Sequence, residues 1–402
     1  MENNNQNTLV LFGAGRIGRS FIAQLFSRGG FEIVFIDINN ELIEELNRCG
    51  NYNLIIRGAD EEVLNIKNVR GVFAGDEQKT VKEIANSRIL AVSVGQNGLK
   101  HVIPLIAKGL IERYKINKES ALDIIIAENL RNAADYFYSD LEKILPENYP
   151  LQEMVGLVET SIGKMVPIIT AKDLEKDILQ VIAEPYNTLI LDKKGFINPI
   201  PEIEGLAPKE HMSAWFDRKL FLHNLGHASA AYLGYLYNPD FVYIYEALSI
   251  REIHNLVRNT MLQAADILLK KYPKEFTFKS LTDHIDDLLM RFQNKALRDT
   301  IFRVGCDLQR KLGPHDRLSG AIKLAIELKL PYDKILFALV SGCRFRAKDE
   351  NGKMLEEDMD FANLYEQGID YVLSGICEFD RILNNKIFEE AREIDRSLNS
   401  AK

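Results

Sequence analysis

Between Thr8 and Asp37 the chain has few ways to fold. An apolar run from Thr8 to about Phe12 enters the turn Gly13-Ala14-Gly15-Arg16-Ile17-Gly18, and Ser20 to Phe26 then carries apolar residues at helical spacing. Gly29-Gly30 closes that helix, Phe31 to Ile36 reads as a second buried strand, and Asp37 stands at its C-terminal end. The sum is one βαβ unit. In a G-x-G-x-x-G turn the first two glycines permit a tight bend and close approach of backbone to a pyrophosphate. The third lets the helix pack near the strand, and the helix N-terminus favours the negative charge. Asp37 follows Gly18 by 37 − 18 = 19 positions, the spacing and context of a carboxylate that accepts from a ribose 2′-hydroxyl. Dinucleotide binding by Gly13, Ala14, Gly15, Arg16, Ile17, Gly18 and Asp37 is therefore expected. A carboxylate at position 37 repels a 2′-phosphate, which favours NAD(H) over NADP(H); a nearby arginine reverses that preference in some folds, and Arg16 and Arg19 are close in sequence.

Two further buried strands are expected at Ile89 to Val94, ending at Gly95, and at Leu122 to Ala127, ending at Glu128-Asn129. Each precedes a segment of helical pattern. The N-terminal half thus reads as a Rossmann-type, doubly wound parallel sheet of the α/β class, with ligands beyond the C-terminal ends of its strands. That edge holds Val94, Gly95 and Asn97 as cofactor contacts and places Asn129 beside them. The stretch from Met154 to about Leu191 is less regular, with β-rich pieces around Val155 to Thr160 and Gln180 to Ile182 that are expected to complete or extend the sheet. Pro199, Pro201 and Pro208, with Gly195 and Gly205 nearby, mark a junction between an expected nucleotide domain, 1–200, and a second domain, 201–402. In the second half Arg218 to Tyr237, Tyr245 to Tyr272, Ser280 to Leu312 and Leu318 to Leu328 read as amphipathic or buried helices, so this domain is expected to be mainly α-helical.

A chain of 402 residues is long for one hydrophobic core, which agrees with two domains. The formal net charge of −8 argues against a general nucleic-acid binder but leaves room for a local basic pocket. No segment approaches a membrane span in unbroken apolar length, and the polar start through Asn7 has no signal-like core. Cys49, Cys306, Cys343 and Cys377 are scattered without C-x-x-C pairs, which argues against zinc and against a disulfide framework. A cytoplasmic, metal-independent enzyme, monomeric or a small homo-oligomer, is the expectation.

Polar groups concentrate at Arg218-Lys219-Leu220-Phe221-Leu222-His223-Asn224-Leu225-Gly226-His227. At about 100° per residue Lys219, His223 and His227 share a stripe, with Asn224 beside it. Burial lowers the pKa of an ammonium, and a lysine so tuned can take a proton from an alcohol while hydride leaves for a nicotinamide. Asn224 is placed to hydrogen-bond a developing alkoxide and His227 to hold a substrate hydroxyl. The same spacing also fits a helix whose polar stripe faces water, and spacing alone does not separate the two.

Lys219 through His227 carries K-x-x-x-x-N-x-x-H, which resembles the active-site signature of the polyol-specific long-chain dehydrogenases, zinc-independent oxidoreductases of sugar alcohols. Ile203-Glu204-Gly205-Leu206, Arg218 to Phe221, Gly226-His227-Ala228 and Ala231 to Leu236 resemble the mannitol-1-phosphate 5-dehydrogenase branch in particular. Ser93-Val94-Gly95-Gln96-Asn97 is similar to the family's A-V-G-P-N turn, Ala127-Glu128-Asn129 to its C-E-N strand end, and Glu184-Pro185 to its E-P pair; Arg303-Val304-Gly305, Arg310-Lys311-Leu312 and Asp316-Arg317-Leu318 resemble its C-terminal basic motifs. The resemblance implies that Lys219 is the general acid/base, that Asn129 and Asn224 polarise the reacting oxygen, and that His227 positions substrate, with Glu128 and Lys164 among the substrate contacts. It also implies interconversion of mannitol 1-phosphate and fructose 6-phosphate with NAD. A hexuronate or unphosphorylated polyol dehydrogenase and a non-catalytic NAD(H)-binding regulator are the alternatives.

Two departures stand out. The family's V-D-S-A-V-D-R-I-V-P appears as Val158 to Pro167 with Gly163 at the second acidic position and Lys164 for the arginine, which replaces a planar fork by a point charge; Gln96 stands for a proline. A sugar phosphate needs cations, and Arg291, Arg303, Arg310, Lys311 and Arg317 are the candidates. Asp307 stands at helical spacing from Arg303, Arg310 and Lys311, so surface pairing accounts for much of that run. Arg317, in a loop-like Gly313-Pro314-His315-Asp316-Arg317, is expected to escape such pairing.

Overall fold

The apolar runs near the N-terminus are hydrophobic at every position because the strands they form are covered on both faces. The computed structural model describes residues 7–58, 60–167 and 177–400; the polar start through Gln6 and part of the irregular stretch, 168–176, lie outside the described residues. The chain forms two compact units, Met1–Trp215 and Phe216–Lys402.

The strands of the first unit are β1 (Thr8–Phe12), β2 (Glu32–Asp37), β3 (Asn51–Arg57), β4 (Glu61–Lys67), β5 (Val69–Phe73), β6 (Ile89–Val92), β7 (Leu122–Ile126), β8 (Val155–Ser161), β9 (Val181–Ala183), β10 (Leu189–Asp192) and β11 (Leu206–Lys209). Eight of them form one sheet in the order β11-β10-β8-β7-β6-β1-β2-β5. From β5 to β8 all neighbours are parallel, whereas β10 runs antiparallel to β8. The order reverses between β1 and β6, and this is the switch point where a doubly wound sheet opens a crevice for ligand. Along β1 and β2, Leu9, Leu11, Ile33 and Phe35 join one apolar layer, while Val10, Phe12, Val34 and Ile36 join the other. Period-two alternation thus puts an apolar residue on each face at every step.

The segment around Gln180 does not extend this sheet as expected. β10 occupies the free edge of β8, pairing Ile190 with Ser161, and β9 instead pairs in parallel with β3 in a separate three-stranded sheet, β4-β3-β9. The antiparallel β3–β4 hairpin and the parallel strand β5 have no counterpart in the sequence reading.

The second unit is helical, and among its described residues strand pairing is limited to one bridge, Tyr243 with Thr300. Met212–Arg218, a π-helical turn Lys219–Asn224 and Leu225–Tyr237 follow without interruption. The expected Tyr245–Tyr272 helix is divided at Ile250 into Ile244–Ser249 and Arg251–Lys271. The expected Ser280–Leu312 helix ends at Phe292 and gives way to the short pieces Lys295–Leu297, Ile301–Gly305 and Leu308–Lys311. The physical reason is the backbone at Arg298 and Asp307, which adopts φ of 50° and 70°. The buried Asp358 carboxylate holds the second break, accepting from the Asp307 and Leu308 N–H groups at 3.0 and 2.7 Å. No helix among the described residues is long and apolar enough to cross a membrane.

Candidate active site

In the first unit the glycine turn opens directly from β1. Gly13 has φ of +93°, and a Cβ there would stand 2.4 Å from the Ser93 carbonyl oxygen; one on Gly18 would stand 2.0 Å from the Gly13 oxygen. Both positions therefore demand glycine. Gly15 is exposed with nothing near the place of a Cβ, so the backbone between Ala14 and Ile17 stays approachable by a ligand. Asp37 ends β2 and bends back over the turn, where its carboxylate accepts from the Ala14 N–H at 2.6 Å and the Asn39 N–H at 2.9 Å. Two carboxylate oxygens offer about four acceptor sites, so Asp37 retains capacity for a sugar hydroxyl. The open cradle and the acceptor-only carboxylate fit an adenine dinucleotide with a free 2′-hydroxyl.

Arg19 is not available to a 2′-phosphate. It is buried, and it donates from Nε to the Ala14 oxygen at 2.7 Å and from Nη1 to the Leu179 and Ile178 oxygens at 2.7 and 3.3 Å. It lies in a π-helical turn, Gly18–Ile22, whose widening is marked by the Ala23 N–H bonded to the Gly18 oxygen. Arg16 and Ile17 begin the helix, Arg16 exposed.

At the same edge Val94 and Gly95 follow β6, and the Glu128 carboxylate after β7 accepts both of their N–H groups, at 2.7 and 2.8 Å. Burial pushes this carboxyl up and the two donors oppose the shift. Glu128 thus fixes the β6 turn, a role that its assignment as a substrate contact does not include. Asn97 and Asn129 are exposed, and the Asn129 carbonyl accepts from the Gln96 amide at 3.1 Å. Lys164 turns inward: it is buried, with Nζ 3.0 Å from Gln24 Oε1 and 3.2 Å from Asn187 Oδ1.

In the second unit the helix that was read as one regular stripe is widened at the point of interest. Within Lys219–Asn224 the Leu225 N–H reaches back to the Leu220 oxygen, a five-residue step. Such single π turns recur at functional sites because they redirect side chains that a regular helix would stack. Lys219 is half-buried, and its pKa is lowered to about 8 by burial and by the Arg317 guanidinium. Those features do not fit a solvated polar stripe.

His223 and His227 pack with Phe292. The His227 ring stacks on it at 4.5 Å between centroids with planes 5° apart, and the His223 ring meets it edge-on at 5.5 Å. Burial and the cations Arg303, Arg317, Lys311 and Arg291 hold the His227 pKa well below its usual value, so the imidazole is neutral. Its Nε2 stands 3.2 Å from Asp299 Oδ2, yet both atoms are buried without a hydrogen-bond partner among the described residues. The ring, held flat on Phe292, is misaligned for the direct bond. A hydroxyl lying beside the pair, within hydrogen-bond reach of each, satisfies both. Asp299 was missed by the sequence reading; it stands 299 − 227 = 72 residues from His227, and no spacing rule links them.

The other cations divide by their partners. Arg310 is exposed and pairs with Asp307 at 2.5 Å and Asp316 at 3.5 Å; Arg303 pairs with Asp299. Arg291 is buried beside Asp287 at 3.4 Å. Among the described residues Arg317 has no ion-pair partner at helical spacing, but its Nε lies 2.7 Å from the adjacent Asp316 carboxylate and its Nη1 3.5 Å from the Asn224 oxygen. Lys311 is buried against carbonyl oxygens, Val304 at 2.8 Å and Arg303 at 3.4 Å, and burial with Arg317 lowers its pKa to about 8.

Residues 7–205 match the family model of the mannitol dehydrogenase Rossmann domain, and residues 211–394 that of the mannitol dehydrogenase C-terminal domain. Among solved structures, a substrate-free D-sorbitol dehydrogenase is 18% identical, with a TM-score of 0.80 over 99% of this chain and 94% of that one. The mannitol 2-dehydrogenase of Pseudomonas fluorescens, in a ternary complex with NAD and D-mannitol, is also 18% identical, with a TM-score of 0.70 over 99% of this chain and 92% of that one.

Proposed function

Because the chain belongs to the mannitol dehydrogenase family, we propose that it is an NAD-dependent oxidoreductase of a secondary alcohol in a polyol, interconverting mannitol 1-phosphate and fructose 6-phosphate. The observation that carries the reading is Lys219, half-buried on a π turn with its pKa brought down to about 8. A base poised near working pH is the group an alcohol oxidation requires. When bound, NAD supplies the nicotinamide that takes up hydride from the carbinol carbon. The Lys219 amine accepts the hydroxyl proton as the carbonyl forms; in reduction the ammonium returns it. Asn129 and Asn224 are the proposed donors to the reacting oxygen. The neutral His227, with the Asp299 oxygen beside it, receives a further hydroxyl that donates to the carboxylate and accepts from Nε2–H, which suits a polyol. Gly13 to Gly18, Asp37, Val94, Gly95 and Asn97 form the proposed cofactor site.

The phosphate is assigned to Arg291, Arg317 and Lys311, which act on His227, together with the exposed Arg310. A specific observation also supports an unphosphorylated polyol: Arg291, Arg303, Arg310 and Arg317 each already have a carboxylate, and Asp299 would repel a phosphate dianion placed next to it. Steady-state rates with mannitol 1-phosphate and free mannitol, followed by NADH absorbance, separate the two. A higher kcat/KM for the phosphorylated substrate is expected; preference for the free polyol overturns the phosphate assignment.

A further inference from the structure

A groove of about 480 Å³ in the first unit, with no residue of the glycine turn in its lining, lies beside the buried Lys164. It lies between the helix Ala23–Arg28, the β3–β4 hairpin and residues 185–187. Behind its wall sits the Lys164 ammonium, bonded to Gln24 Oε1 and Asn187 Oδ1, and both of these side chains line the groove. An ammonium only donates, so each amide must present its oxygen to Lys164 and turn its NH2 group the other way. Gln24 is 2% exposed, and neither amide nitrogen has a hydrogen-bond partner among the described residues. Neither nitrogen is among the buried atoms left without a partner, so both reach the solvent of the groove, where the acceptor of a ligand can take the place of water. The bond to a cation polarises each amide and strengthens its N–H groups as donors.

The rim continues the same sign. Arg28 and Lys67 line the groove and are exposed, and the Arg28 ion pair with Glu204 is loose at 3.8 Å, whereas Glu62 is the acidic lining residue. The opposite wall is apolar, formed by Ile56, Leu64, Ile66 and Pro185. We propose that this groove is a second ligand site, which takes a small organic anion: a carboxylate or phosphate held by the Gln24 and Asn187 amides and by Arg28, with a short apolar body against Ile56 and Leu64. The proposed ligand touches none of the catalytic or cofactor residues; Lys164, expected from the resemblance among the substrate contacts, acts here only through Gln24 and Asn187, so the proposal is tested apart from the dehydrogenase reading.

Isothermal titration of the full-length protein with phenyl phosphate, benzoate and inorganic phosphate tests it. Saturable binding of phenyl phosphate or benzoate is expected, weakened at least tenfold by Gln24→Glu and by Arg28→Glu. Gln24→Glu keeps a partner for Lys164 and replaces the groove-side donor by an acceptor. Arg28→Glu alters an exposed side chain and serves as the readout should the first variant not fold. Arg317→Ala, in the second unit, is expected to leave this binding unchanged. Absence of saturable binding by both aromatic anions overturns the proposal, as does binding that survives Arg28→Glu or is lost in Arg317→Ala. Inorganic phosphate binding as tightly as phenyl phosphate removes the apolar wall from the account and overturns it in the form stated.

Discussion

Among the described residues each half of the chain carries one helix widened by a π turn, Gly18–Ile22 in the first unit and Lys219–Asn224 in the second, and the two use the widening in opposite ways. In the first, the cation Arg19 is consumed by structure: its guanidinium binds three backbone oxygens and ties the glycine turn to residues 178–179. In the second, the cation Lys219 sits in a field that makes its proton easy to lose. A buried arginine keeps its charge through any accessible pH and serves as a fixed clamp, whereas a buried lysine becomes a titrating group. The same local distortion thus holds a fixed cation in one unit and a titratable one in the other, and the residue type decides which.

The largest effect that tests this contrast is Lys219→Ala. Loss of a general base typically costs 10²–10⁴-fold in turnover, and NADH affinity by fluorescence titration is expected to stay within threefold. Retained turnover in the variant would remove Lys219 from the role of general base, whereas a non-catalytic NAD(H)-binding protein would turn over no polyol with or without Lys219 and bind NADH equally in both. Arg19→Met is the converse experiment. Removing a charged donor from buried carbonyls is expected to cost on the order of 3 kcal/mol of stability, read by chemical denaturation of the first transition, together with weaker NADH binding. Unchanged stability would remove the clamp from the account. Smaller again is Arg317→Ala. Taking a cation from beside Lys219 favours its charged form, so the midpoint for alcohol oxidation should move upward from about 8. A downward move contradicts the assigned cause.

Legibility in the sequence follows how local each determinant is. The βαβ unit was readable because β1 and β2 are apolar throughout and the glycines are adjacent in sequence. The β3–β4 hairpin was not, since β4 is mostly exposed and its pattern, Glu61-Glu62-Val63-Leu64-Asn65-Ile66-Lys67, lacks a continuous apolar run. The break at Asp307 depends on Asp358, 358 − 307 = 51 residues later, and no helical periodicity can report it. In the candidate site, Lys219, Asn224 and His227 were proposed from spacing and resemblance. Asp299 was not, because its relation to His227 exists only after the helices pack. The sequence reading set Arg317 apart from pairing at helical spacing and did not weigh the adjacent Asp316, whose carboxylate closes on it.

The central claim is that Lys219 moves the substrate proton, and the pH dependence of kcat/KM in both directions tests it most directly. Oxidation needs the neutral amine, so its rate should rise with pH and level off above about 8; reduction needs the ammonium, so its rate should fall over the same interval. Opposite limbs with a common midpoint near 8, both abolished in Lys219→Ala, are the predicted result. Limbs that run in the same direction, or that persist in the variant, contradict the account.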